Sequence, residues 1–296
     1  MATAQIQRAD RTFGRVVSLK NFAPPNGGNH SKQGSADPWA DFSNIFRSRD
    51  QPLPQSGLQS GWGAIFGPLR QGKVDDLVVV GQIGQSLDGR IATESGHSKY
   101  INGPAGLAHL HRLRSLVDGI VIGVGTAIAD DPQLTVRRVS GSHPTRVVID
   151  PKGRLGSDAK VFAADGTRRL LIVAQGTRCA PPPGVETIAL PASDGQIAPA
   201  AILAALAGHG LRRVLIEGGA VTVSRFLAAG CLDRLHVMVA PVILGAGHAS
   251  FKLPPVELAN QALRVPMHVH QIEDEVLYDC DLSTQRVPIG AAKTST

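Results

Sequence analysis

From Asp76 onward, short apolar segments alternate with segments of helical character, and this alternation limits the possible folds more than any other feature. The apolar segments are of strand length and rich in β-branched residues; in order they are LVVVGQIG, GIVIGVG, TRVVID, RLLIVA and RRVLIEGG. Helices are predicted over 104–116, 197–207 and 221–229. A helix between two strands returns the chain so that both run in the same direction. The pattern therefore predicts a mainly parallel sheet with helices on both faces.

The C-terminal part of the chain departs from this alternation. RLHVMVAPVIL predicts one further strand, and 263–271 and 275–282 predict two more with no helix between them. Such neighbouring strands pair as an antiparallel hairpin. The predicted fold class is a three-layer α/β/α arrangement with a mainly parallel mixed sheet and a C-terminal antiparallel hairpin. The predicted organisation is an irregular extension over 1–75, a main domain over 76–284 and a tail over 285–296.

The extension combines features of a linker with features of a folded segment. It holds six of the 20 prolines, but also both tryptophans and five of the eight phenylalanines, and disordered linkers are poor in aromatic residues. After Asp37-Pro38, the residues Trp39, Phe42 and Phe46 would lie on one face of a short helix. Two interpretations remain open. The extension is an arm that docks its aromatic side chains on the body or on a neighbouring subunit, or it is a mobile tail.

Charge and composition exclude several classes of protein. The net charge is +6, but the extension carries nine Lys/Arg against five Asp/Glu, and the chain contains no basic run, so nucleic-acid binding is not expected. No apolar stretch reaches the roughly 20 residues that a membrane span requires. The N-terminus has no apolar signal-peptide core. The three cysteines are dispersed, which favours a reducing cytoplasm over a disulfide framework.

Three loops that follow predicted strands are candidates for a binding site, because open α/β sheets bind ligands where their strands end. In IEGGAVTVSRF, Gly218 and Gly219 separate Glu217 from a helix, and free backbone N–H groups at such a helix start suit a phosphate. A plain strand-to-helix turn with a solvated glutamate explains the same pattern. In GVGTAI, Ile128 occupies the position of the third glycine of a dinucleotide fingerprint, so a standard Rossmann dehydrogenase is disfavoured.

The other two loops are also ambiguous when taken singly. GQIGQSLDGRIATESGHSKYI has turn signals on both sides of a short strand and predicts a flap that projects Ser98 and Tyr100. A surface hairpin is the alternative. GTAIADDPQLTVR sets Asp130 and Asp131 side by side directly after a buried strand. This stretch is either an acidic surface loop or the edge of a site.

Taken together, five separated motifs resemble one family. In order they are SLDGRIATESGHSKYI, RLRSLVDGIVIGVGTAIADDPQLTVR, RVVID, VLIEGGAVTVSRFLAAGCLDRLHVMVAPVILGAG and a closing pair of strands. They resemble the reductase domain of the riboflavin-pathway deaminase–reductase family, whose fold is similar to that of dihydrofolate reductase. The resemblance covers about residues 76–284. It implies a homodimer in which NADPH reduces C1′ of the ribose of 5-amino-6-(5-phosphoribosylamino)uracil, a phosphosugar-pyrimidine, to the ribitylamino phosphate.

The resemblance also implies the site residues. Substrate contacts would come from Ser98, Arg114, Leu134, Arg137 and Glu217. NADPH contacts would come from Gly84, Tyr100, Thr126, Asp130, Gly219, Ala220, Val221, Thr222, Val223, Ser224 and Arg225. Glu217 is the candidate catalytic group, which would orient a hydroxyl or assist ring opening by proton transfer. A guanidinium group such as that of Arg137 matches phosphate oxygens.

Minor roles are expected for three further residues. Asp131 is expected to be structural, as a cap or a turn acceptor. Lys152 and Arg154, in the turn after VVID, are candidates for binding the 2′-phosphate that distinguishes NADPH from NADH. Hydride transfer needs little from the protein beyond positioning and the exclusion of water, so no catalytic triad is expected.

The chain departs from the family pattern in two respects. Tyr100 stands where a tryptophan is frequent in the family, and residues 1–75 contain neither the H-x-E nor the P-C-x-x-C motif of the zinc deaminase found in bifunctional members. No deaminase activity is therefore expected. His268 and His270 share a strand face, but no cysteine or carboxylate cluster accompanies them, and no metal site is expected. Two alternative functions stay open: a same-fold reductase of another heterocycle, such as a pterin, and a non-enzymatic ligand-binding or scaffold protein.

Overall fold

The computed structural model of the chain describes residues 16–17, 37–48 and 61–289. Its helices are α1 (Pro38–Arg47), α2 (Trp62–Phe66), α3 (Pro104–Leu116), α4 (Val124–Asp130), α5 (Pro199–Gly208) and α6 (Ala220–Ala228). Its strands are β1 (Val16–Val17), β2 (Val78–Ser86), β3 (Arg90–Ala92), β4 (Gly119–Gly123), β5 (Thr145–Ile149), β6 (Arg169–Ala174), β7 (Val185–Leu190), β8 (Ala192–Ser193), β9 (Gln196–Ile197), β10 (Arg213–Ile216), β11 (Arg234–Ala240), β12 (His248–Ala249), β13 (Met267–Ile272) and β14 (Glu275–Asp281). Within these ranges, no helix has the length and apolar character needed to cross a bilayer.

Ten strands form one mixed sheet in the order β1-β13-β14-β11-β2-β10-β4-β5-β6-β7. From β11 to β7 all neighbouring strands are parallel. Strand β14 runs antiparallel to both β11 and β13, so the predicted C-terminal hairpin closes one side of the parallel sheet. The predicted mainly parallel mixed sheet is confirmed.

Helices cover both faces of the sheet, and each face has its own apolar core. Because successive side chains of a strand point to opposite faces, Val78 and Val80 of β2 belong to one core and Val79 to the other. The first core includes buried side chains of α1, α2 and α3, such as Leu113. The second includes buried side chains of α5 and α6, such as Phe226. The predicted three-layer arrangement is therefore correct.

The element boundaries differ from the predicted ones mainly at chain reversals. Helix α3 spans the predicted residues, and its first position is Pro104, whose fixed φ suits a helix start. Helix α5 begins at Pro199 instead of residue 197, because 196–197 pair with 192–193 in a small hairpin. Strand β7 was not predicted. It is half-exposed, so it lacks the continuous apolar run of the central strands.

The aromatic helix of the extension docks on the body. Asp37 caps α1 by accepting the backbone N–H of Trp39 at 3.0 Å. Trp39, Phe42 and Phe46 are buried in the same core as α3. Trp39 meets Trp62 of α2 edge to face, with ring centroids 5.2 Å apart. The domain boundary at residue 76 stays a prediction, although α1 and α2 precede it and share the core.

We expect Phe46→Ala to lower the free energy of unfolding by about 3–5 kcal/mol, because Phe46 is fully buried and its removal leaves a cavity. Chemical denaturation followed by circular dichroism measures the change. Asn44→Ala, an exposed change on the same helix, should alter stability by less than about 0.5 kcal/mol. Equally small effects of both variants would contradict the docking of α1 on the body.

Candidate functional site

A cavity of about 720 Å³ lies at the carboxyl ends of four neighbouring parallel strands, β2, β10, β4 and β5. Residues at or just beyond these ends line it; they include Gly84, Gly123, Ile149 and Glu217. Open α/β sheets bind ligands at this edge, where the loops leaving adjacent strands form a crevice. The volume lies within the range of about 300–1,000 Å³ that is usual for small-molecule and cofactor sites.

The turn between β10 and α6 directs the N-terminal end of α6 toward the cavity. Gly218 has a φ of +104°, and a Cβ there would lie 3.0 Å from the hydroxyl oxygen of Thr126, so this position requires glycine. Gly219 donates its backbone N–H to the same hydroxyl at 2.8 Å. No side chain of the described residues caps α6, whose first residues Ala220 and Val221 border the cavity. The positive end of the helix dipole therefore favours an anionic group here.

Glu217 and Arg114 form a buried ion pair beside the cavity. Nε of Arg114 donates to Oε2 of Glu217 at 3.0 Å, and Nη2 donates to Oε1 at 2.5 Å. The third guanidinium nitrogen, Nη1, donates to the carbonyl oxygen of Thr135 at 3.1 Å. Such a bidentate pair fixes the plane of the carboxylate. A carboxylate has about four acceptor positions, so Glu217 can still accept hydrogen bonds from hydroxyl groups of a ligand.

The two adjacent aspartates at the end of α4 point to different partners. Asp130 lines the cavity, and its pKa is raised by burial and by the nearby carboxylate of Glu217, with Lys99 acting in the opposite sense. Asp131 has a φ of +41° and accepts the backbone N–H of Lys160 at 2.8 Å. Its other oxygen forms an ion pair with Nζ of the same lysine, at 2.8 Å. Asp131 is thus structural, as predicted, while Asp130 faces the cavity.

The predicted flap covers one side of the cavity. Its strand β3 pairs antiparallel with β12, and Ser98 beyond it lines the cavity. Asp88 holds the base of the flap by accepting the hydroxyl of Ser86 at 2.6 Å and the backbone N–H groups of Leu244 at 3.1 Å and Gly245 at 2.7 Å. The bond from Ser86, followed by that from Leu244, lowers the pKa of Asp88 to about 2. The flap is therefore tied to the loop that leads into β12.

Basic side chains outnumber acidic ones around the cavity. Its carboxylates are Asp130 and Glu217, and the charge of Glu217 is compensated by Arg114. The basic residues that line it are Lys152, Arg154, Arg225 and Lys252. This balance favours an anionic ligand.

Most of the residues assigned by resemblance meet in this cavity. Ten of them line it: Gly84, Ser98, Thr126, Asp130, Glu217, Gly219, Ala220, Val221, Thr222 and Arg225. They come from four separate parts of the chain, and the three loops singled out in the sequence converge on one crevice. Lys152 and Arg154, the candidates for a 2′-phosphate, lie at its border as well.

The other assigned residues lie outside the cavity lining. Arg114 stands behind Glu217 and holds it. Val223 and Ser224 are buried within α6, and Leu134 is buried with a φ of +53°. Tyr100 is 90% exposed, and Arg137 is also exposed. The roles assigned to these residues by resemblance stay predictions.

Sequence reasoning missed the wall that is contributed by β12 and the segment after it. His248, Ala249 and Lys252 line the cavity, but the stretch GAGHASFK shows neither helix nor strand periodicity. The wall forms because β12 pairs with β3, with His248 opposite Ala92. Gly195 and Gln196 line the cavity from a small hairpin that was likewise not predicted. The β12 wall depends on long-range pairing with β3, whereas the small hairpin is local but has no apolar run to mark its strands.

Arg137 lies in a second, outer cleft of about 490 Å³. This cleft is lined by residues of the extension, of α3 and of the loop after α4: Asp37, Pro38, Trp39, Trp62, Arg112, Arg137, Arg138, Val139 and Ser140. The backbone N–H of Arg137 donates to Nδ1 of His111 at 3.0 Å. Burial and the guanidinium groups of Arg114 and Arg138 lower the pKa of Arg137. Arg137 is therefore near Arg114, and through it near the Glu217 side of the cavity.

No group of three or more His, Cys, Asp or Glu side chains within the described ranges has the arrangement needed to hold a metal ion. His270 is buried, and burial lowers its pKa. Its neighbour on the same strand face, His268, is exposed.

The sheet order and the anion-accepting crevice define an α/β ligand-binding domain of the dihydrofolate-reductase-like type. Residues 78–277 match the model of the RibD C-terminal domain family, and the chain belongs to that family. The predicted resemblance to the riboflavin-pathway reductases is confirmed by this match. The extension that carries α1 and α2 precedes the matched region.

Individual relatives agree with the family match. The chain is 34% identical over 172 residues to the 2,5-diamino-6-ribosylamino-4(3H)-pyrimidinone 5′-phosphate reductase of Methanothermobacter thermautotrophicus, covering 55% of this chain and 77% of that one. It is 33% identical over 167 residues to the riboflavin biosynthesis protein RibD of Aquifex aeolicus, covering 55% of this chain but only 46% of the relative. The chain thus spans about half the length of the RibD relatives.

A solved structure shows the same fold. The diaminohydroxyphosphoribosylaminopyrimidine deaminase/5-amino-6-(5-phosphoribosylamino)uracil reductase of Thermotoga maritima superposes with a TM-score of 0.60 at 25% identity. The superposition covers 77% of this chain and 61% of that one.

We expect His111→Asn to weaken the dependence of stability on pH. Burial, and then the guanidinium groups of Arg114, Arg137 and Arg138, lower the pKa of His111 from 6.5 to about 3. Protonation therefore favours the unfolded chain, so stability is full above pH 6.5 and falls as the pH drops from 6.5 toward 3.

Asparagine offers an acceptor near the position of Nδ1 but does not titrate. Denaturation curves between about pH 4 and pH 8 should show a slope smaller by up to about 1.4 kcal/mol per pH unit, with little change near pH 8. Parallel curves for wild type and variant would show that His111 does not contribute.

Proposed function

We propose that this protein is an NADPH-dependent reductase of riboflavin biosynthesis that converts the ribosylamino group of 5-amino-6-(5-phosphoribosylamino)uracil to a ribitylamino group. The observation that carries the proposal is the convergence of Ser98, Asp130, Glu217 and the start of α6 on one crevice. The names of the M. thermautotrophicus and T. maritima relatives support the reaction and the class of substrate. These two names differ in the pyrimidine, and the proposal commits to the uracil.

The cavity residues fit a nicotinamide dinucleotide. The uncapped start of α6 suits a pyrophosphate, because its backbone N–H groups and helix dipole favour negative charge. Thr126 and Thr222 offer hydroxyl groups beside that helix start. Asp130 is placed to accept hydrogen bonds from ribose or amide groups of the cofactor. When bound, the cofactor supplies a hydride to C1′ of the substrate ribose.

The preference for NADPH is assigned to the basic side of the cavity. Lys152 and Arg154 follow β5, and Lys252 follows β12, so charged groups from two loops face the same space. A 2′-phosphate adds negative charge that these side chains would bind. NADH carries a neutral hydroxyl at that position, so these side chains would stabilise its binding much less.

On the substrate side, the protein has to position the sugar and to assist protonation of the ribose ring oxygen. Reduction breaks the bond between C1′ and the ribose ring oxygen, forms a C1′–H bond and places a proton on that oxygen. Glu217 is held in one orientation by Arg114, so it can orient a ribose hydroxyl or assist ring opening by passing a proton from water to the ring oxygen. Ser98 offers a hydroxyl from the flap, and Arg137 is assigned to the substrate phosphate.

Consumption of NADPH by the purified protein, followed by absorbance with 5-amino-6-(5-phosphoribosylamino)uracil as substrate, tests the proposal. Glu217→Gln should lower kcat by about 10²–10³-fold, since proton transfer contributes on this scale. Arg137→Ala should raise KM for the phosphorylated substrate by about 10–100-fold, the range expected for a charged hydrogen bond. NADH in place of NADPH should raise KM for the cofactor.

Arg178→Ala is the matched control, because it removes an exposed arginine that lines neither the cavity nor the outer cleft. It should leave both constants unchanged. Turnover of a dihydropterin but not of the uracil compound would show that the proposed substrate is wrong. Absence of NADPH binding at micromolar concentrations would remove the enzymatic proposal altogether.

We also propose that the enzyme is a cytoplasmic homodimer that uses its C-terminal segment as an interface. Residues 252–267 carry apolar side chains that are 40–59% exposed: Leu253, Val256, Leu258, Leu263 and Met267. Such a concentration of exposed apolar groups marks an interaction surface. The three cysteines are dispersed along the sequence with no C-x-x-C pair, which supports a reducing compartment.

Leu258→Glu should weaken dimerisation, because it places a charge within this apolar surface. Sedimentation velocity at several concentrations should then show a larger monomer fraction than for wild type. Ile128→Glu, at a residue of α4 that is exposed to a similar degree, should leave the distribution unchanged. A wild-type protein that is monomeric at every concentration would contradict the proposal.

A further inference from the structure

Helix α1 contacts the loop that begins at Arg137 through its N-terminal end. The carbonyl oxygen of Ser140 accepts the indole Nε1–H of Trp39 at 3.0 Å. The hydroxyl of Ser140 donates to the carboxylate of Asp37. The other oxygen of Asp37 caps α1, so one side chain joins the helix start to the loop.

The C-terminal end of α1 contacts the same loop again. Nη1 of Arg47 donates to the hydroxyl of Ser142 at 2.6 Å, and Nη2 donates to the carbonyl oxygen of Ser115 at the end of α3. Gly141 lies close against this point, since a Cβ there would be 2.5 Å from the Cβ of Ser115. The loop over 137–143 is therefore held between α1 and the end of α3.

Helix α1 is itself firmly placed. Trp39, Phe42 and Phe46 are at most 4% exposed and belong to the main core. The guanidinium of Arg112, on α3, lies 5.5 Å from the ring centroid of Trp39 and 5.3 Å from that of Trp62. Cation–π contacts of this kind fix the position of the charge. Helix α1 is thus fixed by its packing in the core and can hold the loop in one position.

The loop carries the side chain that the proposed function assigns to the substrate phosphate. The guanidinium of Arg137 donates a hydrogen bond within its own loop, from Nη1 to Oγ1 of Thr135 at 3.2 Å. It shares the outer cleft with Arg112 and Arg138, and the like charges of Arg114 and Arg138 repel it. The backbone N–H of Arg137 is bonded to His111 of α3, which holds the start of the loop, and the contacts of α1 with Ser140 and Ser142 hold the rest of it.

We infer that α1 positions Arg137 for the substrate phosphate, with Trp39 and Arg47 as the positioning residues. This inference rests on the proposed function. It gives the N-terminal extension, which precedes the family-matched residues 78–277, a role in binding the phosphorylated substrate. Neither positioning residue lines the cavity at the strand ends. Trp39 lines the outer cleft, but its Nε1–H is bonded to Ser140, so both residues act through the loop.

Steady-state kinetics of Trp39→Phe and Ser142→Ala test the inference. Trp39→Phe keeps an aromatic ring but removes the Nε1–H donor, and should raise KM for the phosphorylated substrate about three- to tenfold. Ser142→Ala removes the acceptor for Arg47 and should raise it about twofold, because this bond is exposed. Neither variant should change kcat or KM for NADPH.

Ser43→Ala is the matched control. It removes a buried hydroxyl of the same helix that bonds within α1, to the carbonyl oxygen of Ala40 at 3.0 Å, and it should leave KM unchanged. The effect of Trp39→Phe should disappear with the dephosphorylated substrate. It should also disappear in an Arg137→Ala background, since coupled residues are not additive. Equal effects on both substrates, or additivity with Arg137→Ala, would overturn the inference.

Hydrogen exchange separates failure of this inference from failure of the proposed function. The backbone amides of 137–143 should exchange faster in Trp39→Phe and Ser142→Ala than in wild type or Ser43→Ala. This readout needs no turnover. Unchanged exchange in both loop variants would overturn the positioning role, whatever reaction the enzyme catalyses.

Discussion

The buried ion pair between Arg114 and Glu217 joins the helical layer to the edge of the sheet, and the site depends on it. Arg114 belongs to α3, whereas Glu217 follows the central strand β10. A buried charge that loses its partner costs several kcal/mol, so neither residue can move independently. The third nitrogen of Arg114 holds the carbonyl oxygen of Thr135, which extends the connection into the loop that carries Arg137. One guanidinium group thereby orients Glu217, the candidate catalytic group, and holds the loop that carries Arg137.

Two kinds of element surround this pair: rigid strand and helix ends, and loops held by local hydrogen bonds. The strand ends and the start of α6 are rigid and provide backbone N–H groups and a positive dipole for phosphate groups. The flap and the β12 segment are joined to the body by local hydrogen bonds, among them those of Asp88. Such a combination suits the proposed function, in which a dinucleotide and a second substrate bind side by side. Helix α1, which precedes the family-matched residues 78–277, likewise holds a loop at the outer cleft by hydrogen bonds.

Periodicity was sufficient to predict the layers, the parallel central strands and the hairpin, because each of these depends on local patterns of apolar residues. It failed for β7 and for the small hairpin before α5, where side chains are largely exposed and no apolar run marks a strand. The resemblance to a family named ten of the residues that line the cavity. It could not indicate that Arg114 faces Glu217 instead of open space, nor that Lys252 and His248 close the cavity from the far side.

The sequence by itself determined the fold class, the loops that would carry the site, and the helical character of the aromatic segment after Asp37. These properties follow from the spacing of apolar, glycine and proline residues along a few turns of chain. Only the tertiary structure decided which partner holds Asp131, where Arg137 lies and what α1 contacts. Those outcomes depend on pairs of residues about 30 to 100 positions apart, and the geometry of such pairs is set by packing across layers, which local spacing does not encode.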